Sequence, residues 1–169
     1  MRLNDAGQPS WLAIETSGHG AMRENYFLDD GAYLVSKLLI ELAKSKLSGK
    51  SLTDLIATLQ EPAESQEFRL HIQQPDFKAY GTEVIEKLQA FASTQPTWQI
   101  VPKNYEGVRI ACRSPEEAGW FLLRLSLHDP VLPLNIESNV VGGVARMQQT
   151  LASFFQQFDA LDWSALQAG

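Results

Sequence analysis

Two short stretches of this 169-residue sequence carry side chains whose types and spacing could do chemistry. The first is Glu15-Thr-Ser17-Gly18-His19. A carboxylate accepts hydrogen bonds and a hydroxyl both donates and accepts, so Glu15 and Ser17 together can bond the vicinal hydroxyls of a sugar. Gly18 permits positive φ or close backbone approach. His19 can act as general acid or base near neutral pH. The second stretch is Arg124-Leu-Ser126-Leu-His128-Asp129-Pro130. Arginine offers a planar fork of donors that meets a phosphate bidentately. Ser126 adds a hydroxyl, the N–H groups of a turn add more, and His128 donates more strongly when protonated. The same residue types are common in hydrogen-bonded turns and on solvated surfaces, so each stretch taken alone leaves both readings open.

The elements that must position these residues follow from periodicity. Trp11-Leu-Ala-Ile reads as a buried strand that breaks into the Glu15 loop, and open α/β folds bind ligands at the carboxyl ends of strands. Asp30 is placed to cap a helix in which Ala32, Leu34, Val35, Leu38, Leu39, Leu42 and Ala43 recur at helical spacing. Ser51-Leu-Thr-Asp54 reads as the start of a short second helix through Leu52, Leu55, Ile56 and Leu59. The first strand has no evident neighbour. It either pairs later in the chain or belongs to a sheet whose remainder lies outside this sequence. The polar, Pro62-containing segment 61–65 marks a boundary. Beyond it come a strand at Glu67–Ile72, a helix opening at Thr82, strands at Trp98–Val101, Gly107–Cys112, Trp120–Leu125 and Leu132–Glu137, and a last helix from Val144 to Phe158. The Arg124 loop therefore lies at a strand-to-strand turn. The predicted class is α+β: a partial α/β segment (strand, loop, two helices) over residues 1–63, then over residues 64–169 a mainly antiparallel sheet of about four strands packed against two helices.

Composition narrows the function. The chain is 44% hydrophobic with net charge −6 and a sequence pI near 5.0. It can form a core, and it has no basic stripe with which to bind nucleic acid or an anionic membrane. The single cysteine, Cys112, cannot form an internal disulfide and fits a reducing compartment. There is no run of membrane-spanning length and no signal-peptide pattern, so a cytoplasmic location is expected.

Taken together the motifs resemble a known family. Glu15-Thr-Ser-Gly-His19, then Asp30-Gly31 opening a helix with Glu41-Leu42 near its end, then Ser51-Leu52, resembles domain 3 of the α-D-phosphohexomutases, which include the phosphoglucomutases and phosphomannomutases. Glu106-Gly107-Val-Arg109 resembles that family's Asp-Gly-hydrophobic-basic element. Gly119-Trp-Phe-Leu-Leu-Arg124-x-Ser126-x-x-Asp129-Pro130 resembles the phosphate loop of its domain 4. The likeness runs over roughly residues 11–158. It departs at Ile14, where the family usually has Gly, and at Leu127, His128 and Asp129, which replace Gly/Asn, Thr and Glu.

The resemblance implies a division of labour. Residues 1–63 would be the end of the sugar-binding domain 3, and 64–169 the phosphate-binding domain 4. Glu15 and Ser17 would contact the sugar. Arg124, Ser126 and His128 would hold the non-reacting phosphate, and His19 would assist proton transfer or hold substrate. It also implies an intact isomerase that moves phosphate between C1 and C6 with Mg²⁺. The family's phosphoserine loop and Asp-x-Asp-x-Asp metal loop are not in this sequence, so the chain alone is expected to be inactive, to hold no metal, and to need the missing N-terminal domains as partners beside its hexose phosphate. The rival reading is a stand-alone, non-catalytic phosphosugar- or anion-binding module. Lesser candidates are Arg23 and Arg109 as surface cations, Cys112 and Trp98, Trp120, Phe154, Phe155 and Phe158 as packing, Asp29 and Asp30 as helix-starting residues, and Asp159 and Asp162 as tail features. Trp11 either lines the site or packs on the sheet.

Overall fold

The computed structural model describes residues 2–15, 18–102, 104 and 107–167. The chain divides into two compact units, Met1–Leu59 and Gln60–Gly169.

In the first unit a short helix α1 (Arg2–Asp5) precedes an antiparallel hairpin, β1 (Leu12–Ile14) with β2 (Gly20–Met22), and a long helix α2 (Gly31–Leu47). The strand that lacked an evident partner thus pairs with the segment just after its own loop, in register Leu12↔Met22 and Ile14↔Gly20. Gly-Ala-Met is too short and too weakly patterned to announce a strand. The expectation of burial fails: all three β1 residues are exposed, and so are Val35, Leu38, Leu39 and Ile40 on α2. Two strands and a helix hold too little surface to cover one another. Among the described residues, every large exposed hydrophobic side chain except Leu127 and Val141 lies in this unit. Asp30 caps α2 as its position suggested, its Oδ1 accepting from the Tyr33 N–H at 3.0 Å. The predicted second helix shrinks to a single 3₁₀ turn, Thr53–Ile56. Its start signal is real, since the Asp54 carboxylate accepts from the Ser51 N–H at 2.8 Å. Its apolar residues Leu55, Ile56 and Leu59 stand exposed, and short helices depend on packing.

The second unit is α+β. Six antiparallel strands lie in the order β4 (Trp98–Ile100), β5 (Val108–Cys112), β6 (Gly119–Leu123), β7 (Val131–Ser138), β3 (Glu64–Ile72), β8 (Leu161–Asp162). The sheet is wider than the expected four strands, and the two-residue β8 edge is too short to show a period. In β3 the alternation is plain: Phe68, Leu70 and Ile72 are buried, while Glu67, Arg69 and His71 face out. Helix α3 (Phe77–Ala92) begins five residues before Thr82, at a cap the sequence reading missed: Asp76 accepts from the Ala79 N–H at 3.1 Å. Helix α4 (Gly143–Phe155) completes the layer. Val84, Leu88, Met147, Leu151 and Phe155 meet Leu70, Ile110, Phe121, Leu134 and Ile136 in one core. Trp98 packs edge-on with Phe91 and Phe121 in it, Phe91 lies tilted on Phe154, and the Trp98 indole N–H is satisfied by the buried Glu117 carboxylate at 3.1 Å.

Two side chains tie distant parts of this unit together. Glu64, at the start of β3, accepts from the backbone N–H groups of Gly142 (2.7 Å) and Val144 (3.0 Å). These are free donors at the start of α4, so the carboxylate closes the helix end and opposes its dipole. The Gly142 and Val144 N–H bonds hold its carboxyl below the usual range. Ser138 Oγ donates to the Glu117 carbonyl and fixes the end of β7 under the same turn.

Candidate functional site

In the first unit the chain after β1 turns back on itself. Glu15 N–H donates to the His19 carbonyl (2.9 Å), and Gly18 N–H donates to the Glu15 carbonyl (3.0 Å). Gly18 has φ +89, a conformation that favours glycine, and it is what lets the loop close so tightly. Glu15 and His19 are thereby brought to adjacent positions at the mouth of the hairpin, both exposed. Ser17 lies outside the described residues. His19 is oriented by a residue the sequence reading had counted only as a helix starter: its Nδ1 lies 2.8 Å from Asp29 Oδ2. An ionised carboxylate only accepts, so Nδ1 carries the proton in this bond, and the ring itself is exposed. An antiparallel bridge between Ala21 and Asp29 returns Asp29 to the hairpin. No spacing rule signals that bridge, because a 3₁₀ turn (Arg23–Asn25) and two non-glycine residues at positive φ, Tyr26 and Phe27, intervene. The turn is tied to α2 where Lys37 meets Glu24 at 2.7 Å. Hydrogen bonds from Lys37, then Tyr33, hold the Glu24 carboxyl below its ordinary value. Trp11 is exposed and stacked against Arg23, 5.0 Å from guanidinium carbon to ring centroid, so it neither packs on a sheet nor sits in a core.

In the second unit Arg124, Ser126 and His128 share the connection between β6 and β7. Arg124 N–H donates to the Pro133 carbonyl (3.1 Å) and Ser126 N–H to the Val131 carbonyl (3.0 Å), so the ladder runs on past the strand end. The Ser126 hydroxyl accepts from the Asp129 N–H at 3.3 Å and closes the turn. Arg124 and Ser126 are half-buried; Leu127, His128 and Asp129 are exposed. Two glycines outside the loop set its position. Gly107 is at φ +123, and a Cβ there would run into the Leu123 carbonyl oxygen and, at 2.8 Å, the Arg124 Cα. Gly81 on α3 leaves room for Leu125, whose Cδ1 would lie 2.5 Å from an added Cβ. Arg124 is thus held from the β5 side and Leu125 from the helix side.

No protein-family model matches the sequence. The chain is 29% identical over 153 residues to a phosphoglucomutase of Neisseria gonorrhoeae, and 28% identical over the same length to one of Neisseria meningitidis; each match takes in 90% of this chain. Among solved structures it resembles a phosphoglucomutase/phosphomannomutase family protein of Burkholderia thailandensis, with TM-score 0.66 and 26% identity over 96% of the chain. The chain is thus similar, in sequence and in fold, to proteins of the phosphoglucomutase/phosphomannomutase family. It spans only about 30% of the length of these relatives.

The remaining candidates are placed as follows. Cys112 is buried in β5, and burial pushes its thiol well above the ordinary range, so it is unsuited to nucleophilic work. Asp162 pairs with His71 across β3 and β8, and bonds from Ser164 hold its carboxyl low. Arg109 lies over the Trp120 ring at 4.2 Å, so Trp120 is at the surface of the sheet and not in the core where its spacing had put it. The phosphohexomutase resemblance implies Mg²⁺, but among the described residues no three His, Cys, Asp or Glu side chains converge to ligate one. Nor is any described helix long and apolar enough to cross a membrane.

Proposed function

We propose that this chain is the sugar- and phosphate-recognising part of a cytoplasmic phosphohexomutase, comprising the end of domain 3 and all of domain 4. Glu15 and Ser17 would bind sugar hydroxyls of a glucose or mannose phosphate. Arg124, Ser126 and His128 would hold whichever phosphate is not reacting while the other moves between C1 and C6. Holding a remote phosphate fixes the geometry on which the chemical step depends. His19, with Asp29 fixing its ring, would hold or exchange a proton on a sugar oxygen through Nε2. Magnesium, bound elsewhere in the intact enzyme, would supply charge stabilisation at the transferring phosphate. The missing N-terminal domains would be the partners of this chain.

One observation carries the reading: a 153-residue similarity to phosphoglucomutases that takes in 90% of the chain. The His19–Asp29 bond and the Gly107 contact at Arg124 support it locally. The test is Arg124→Ala in the intact enzyme. Loss of a charge-assisted bidentate contact, roughly 1.5–3 kcal/mol, should raise KM and lower kcat/KM by about 10²-fold at the upper end. Wild-type kinetics for that variant would overturn the assignment.

A further inference from the structure

We propose a second anion-binding site, separate from the Arg124 loop, on the open face of the six-stranded sheet: a hollow built on the Arg109–Trp120 stack and Arg113 that takes a small organic phosphate. The strand register defines the face. Arg109 stands opposite Leu122 and Ala111 opposite Trp120, while their neighbours Val108, Ile110, Phe121 and Leu123 point into the core. Arg109 and Trp120 are therefore diagonal neighbours on the side away from the core. The guanidinium lies over the indole, 4.2 Å from carbon to centroid. That contact holds the guanidinium against the indole, and a guanidinium stacked on a ring face keeps its in-plane N–H donors available for an anion. Arg113 lines the same hollow. Among the described residues neither arginine has a carboxylate within ion-pair distance, although the chain as a whole is acidic. The hollow is open to solvent and has a volume of about 530 Å³, within the span of about 300–1,000 Å³ typical of small-molecule sites.

The rest of the lining defines the ligand. Val101 and Ala111 give a small apolar floor, and Asn139 brings an amide that can meet a hydroxyl. Ala118, also in the lining, is held at φ +34 by its N–H bond to Ser114 and by the Asn139 N–H bond to its carbonyl, a conformation that non-glycine residues adopt only when their surroundings enforce it. Glu137, opposite Trp120 on β7, is the carboxylate nearest in register, and it is not part of the lining. It leaves the Arg109–Arg113 side as the place for a dianion. Two arginines favour phosphate, and the apolar floor with one amide favours an organic body bearing hydroxyls. Arg124 and the rest of the β6–β7 loop are not part of the lining.

The full chain can be titrated with inorganic phosphate, then with glucose 6-phosphate, while the Trp120 indole N–H resonance is followed by NMR and assigned with Trp120→Phe. Sodium chloride at matched ionic strength is the control. A saturable Trp120 shift is expected with both phosphates and not with chloride, tighter for the sugar phosphate. Arg109→Gln and Arg113→Gln should each weaken it about tenfold or more, and Arg124→Ala should leave it intact. An unchanged Trp120 signal in a chain whose sheet amides are native overturns the proposal, as does an equal response to chloride. A response lost in Arg124→Ala but kept in Arg109→Gln would overturn it too, by assigning the binding to the β6–β7 loop; that outcome leaves the proposed mutase function standing.

Discussion

Replacing Gly107 by alanine tests directly whether the Arg124 loop is positioned from the β5 side. Two costs add. At φ +123 an L-residue is strained, which typically costs about 1–3 kcal/mol. The new methyl would also overlap the Leu123 carbonyl oxygen and the Arg124 Cα. These are backbone atoms of a paired strand end and cannot swing aside as a side-chain tip can, so overpacking adds about 1–3 kcal/mol. The sum, roughly 2–6 kcal/mol, is a large share of the about 5–15 kcal/mol that holds an ordinary domain together. Gly142→Ala is the internal control. It sits at φ +79 in the same unit, but its nearest contact is the far end of a side chain, the Arg146 guanidinium at 3.3 Å, so the conformational cost of about 1–2 kcal/mol dominates. Urea denaturation of both variants, read as midpoint shifts at unchanged slope, gives the comparison. A titration with glucose 1-phosphate followed at the Arg124–Asp129 amides then reports whether the surviving fold still presents the loop. The reasoning is refuted if Gly107→Ala costs no more than Gly142→Ala, or if it binds the sugar phosphate as the wild type does.

Other outcomes follow from single contacts. Glu64 accepts two backbone N–H bonds that hold its carboxyl below the ordinary 4.5, so the unfolded chain binds its proton more readily than the folded one. Its contribution is therefore complete above pH 4.5 and fades as pH falls through the depressed value. The stability gap between wild type and Glu64→Gln should be open at pH 7 and narrow below 4.5; a pH-independent gap contradicts this. Asp29→Ala should release the His19 ring, seen in ¹⁵N spectra as a mixture of Nδ1-H and Nε2-H tautomers in place of a single Nδ1-H form, and identical spectra would dismiss the orienting role. In hydrogen exchange the amides of Leu12–Ile14 should open orders of magnitude faster than those of β3 and β7, because the hairpin is exposed and the sheet centre is not. Equal protection would mean the first unit is covered in solution.

What could be read in the sequence and what could not differ between the two units for a physical reason. In the second unit pattern and packing agree: the alternation of Phe68, Leu70 and Ile72, the apolar stripe Val84–Leu88 and the run Met147–Leu151–Phe155 are each buried against one another. The Arg124 loop was legible because strong strands bracket it. What the pattern missed there was short or set by register. The two-residue β8 has no period, the Asp76 cap lies ahead of the first apolar repeat, and Trp120 sits at core spacing yet faces outward, because the parity of β6 is fixed by its pairing with β5 and β7. In the site, Glu15 and His19 were legible as types, but Asp29 was not legible as the partner of His19, since ten residues and an irregular turn separate them.

The first unit fails in the opposite sense, and the failure is informative. Trp11–Ile14 and the Val35–Leu38–Leu39–Ile40 group have the composition of buried elements, and they stand exposed. A helix apolar on more than one side is stable only when covered on those sides. Local signals such as the Asp30 cap still fire, because a cap needs only its own first turn. The global signal has nothing to act on, because burial needs a second layer. The matched phosphoglucomutases are about three times as long as this chain. The mismatch between pattern and exposure in residues 12–59, set beside the agreement in residues 64–166, marks the first unit, and with it the Glu15–His19 loop, as the less self-sufficient of the two. The Glu15–His19 loop should therefore be the more easily disordered by destabilising conditions and the Arg124 loop the more robust, since the Arg124 loop rests on a core complete in itself.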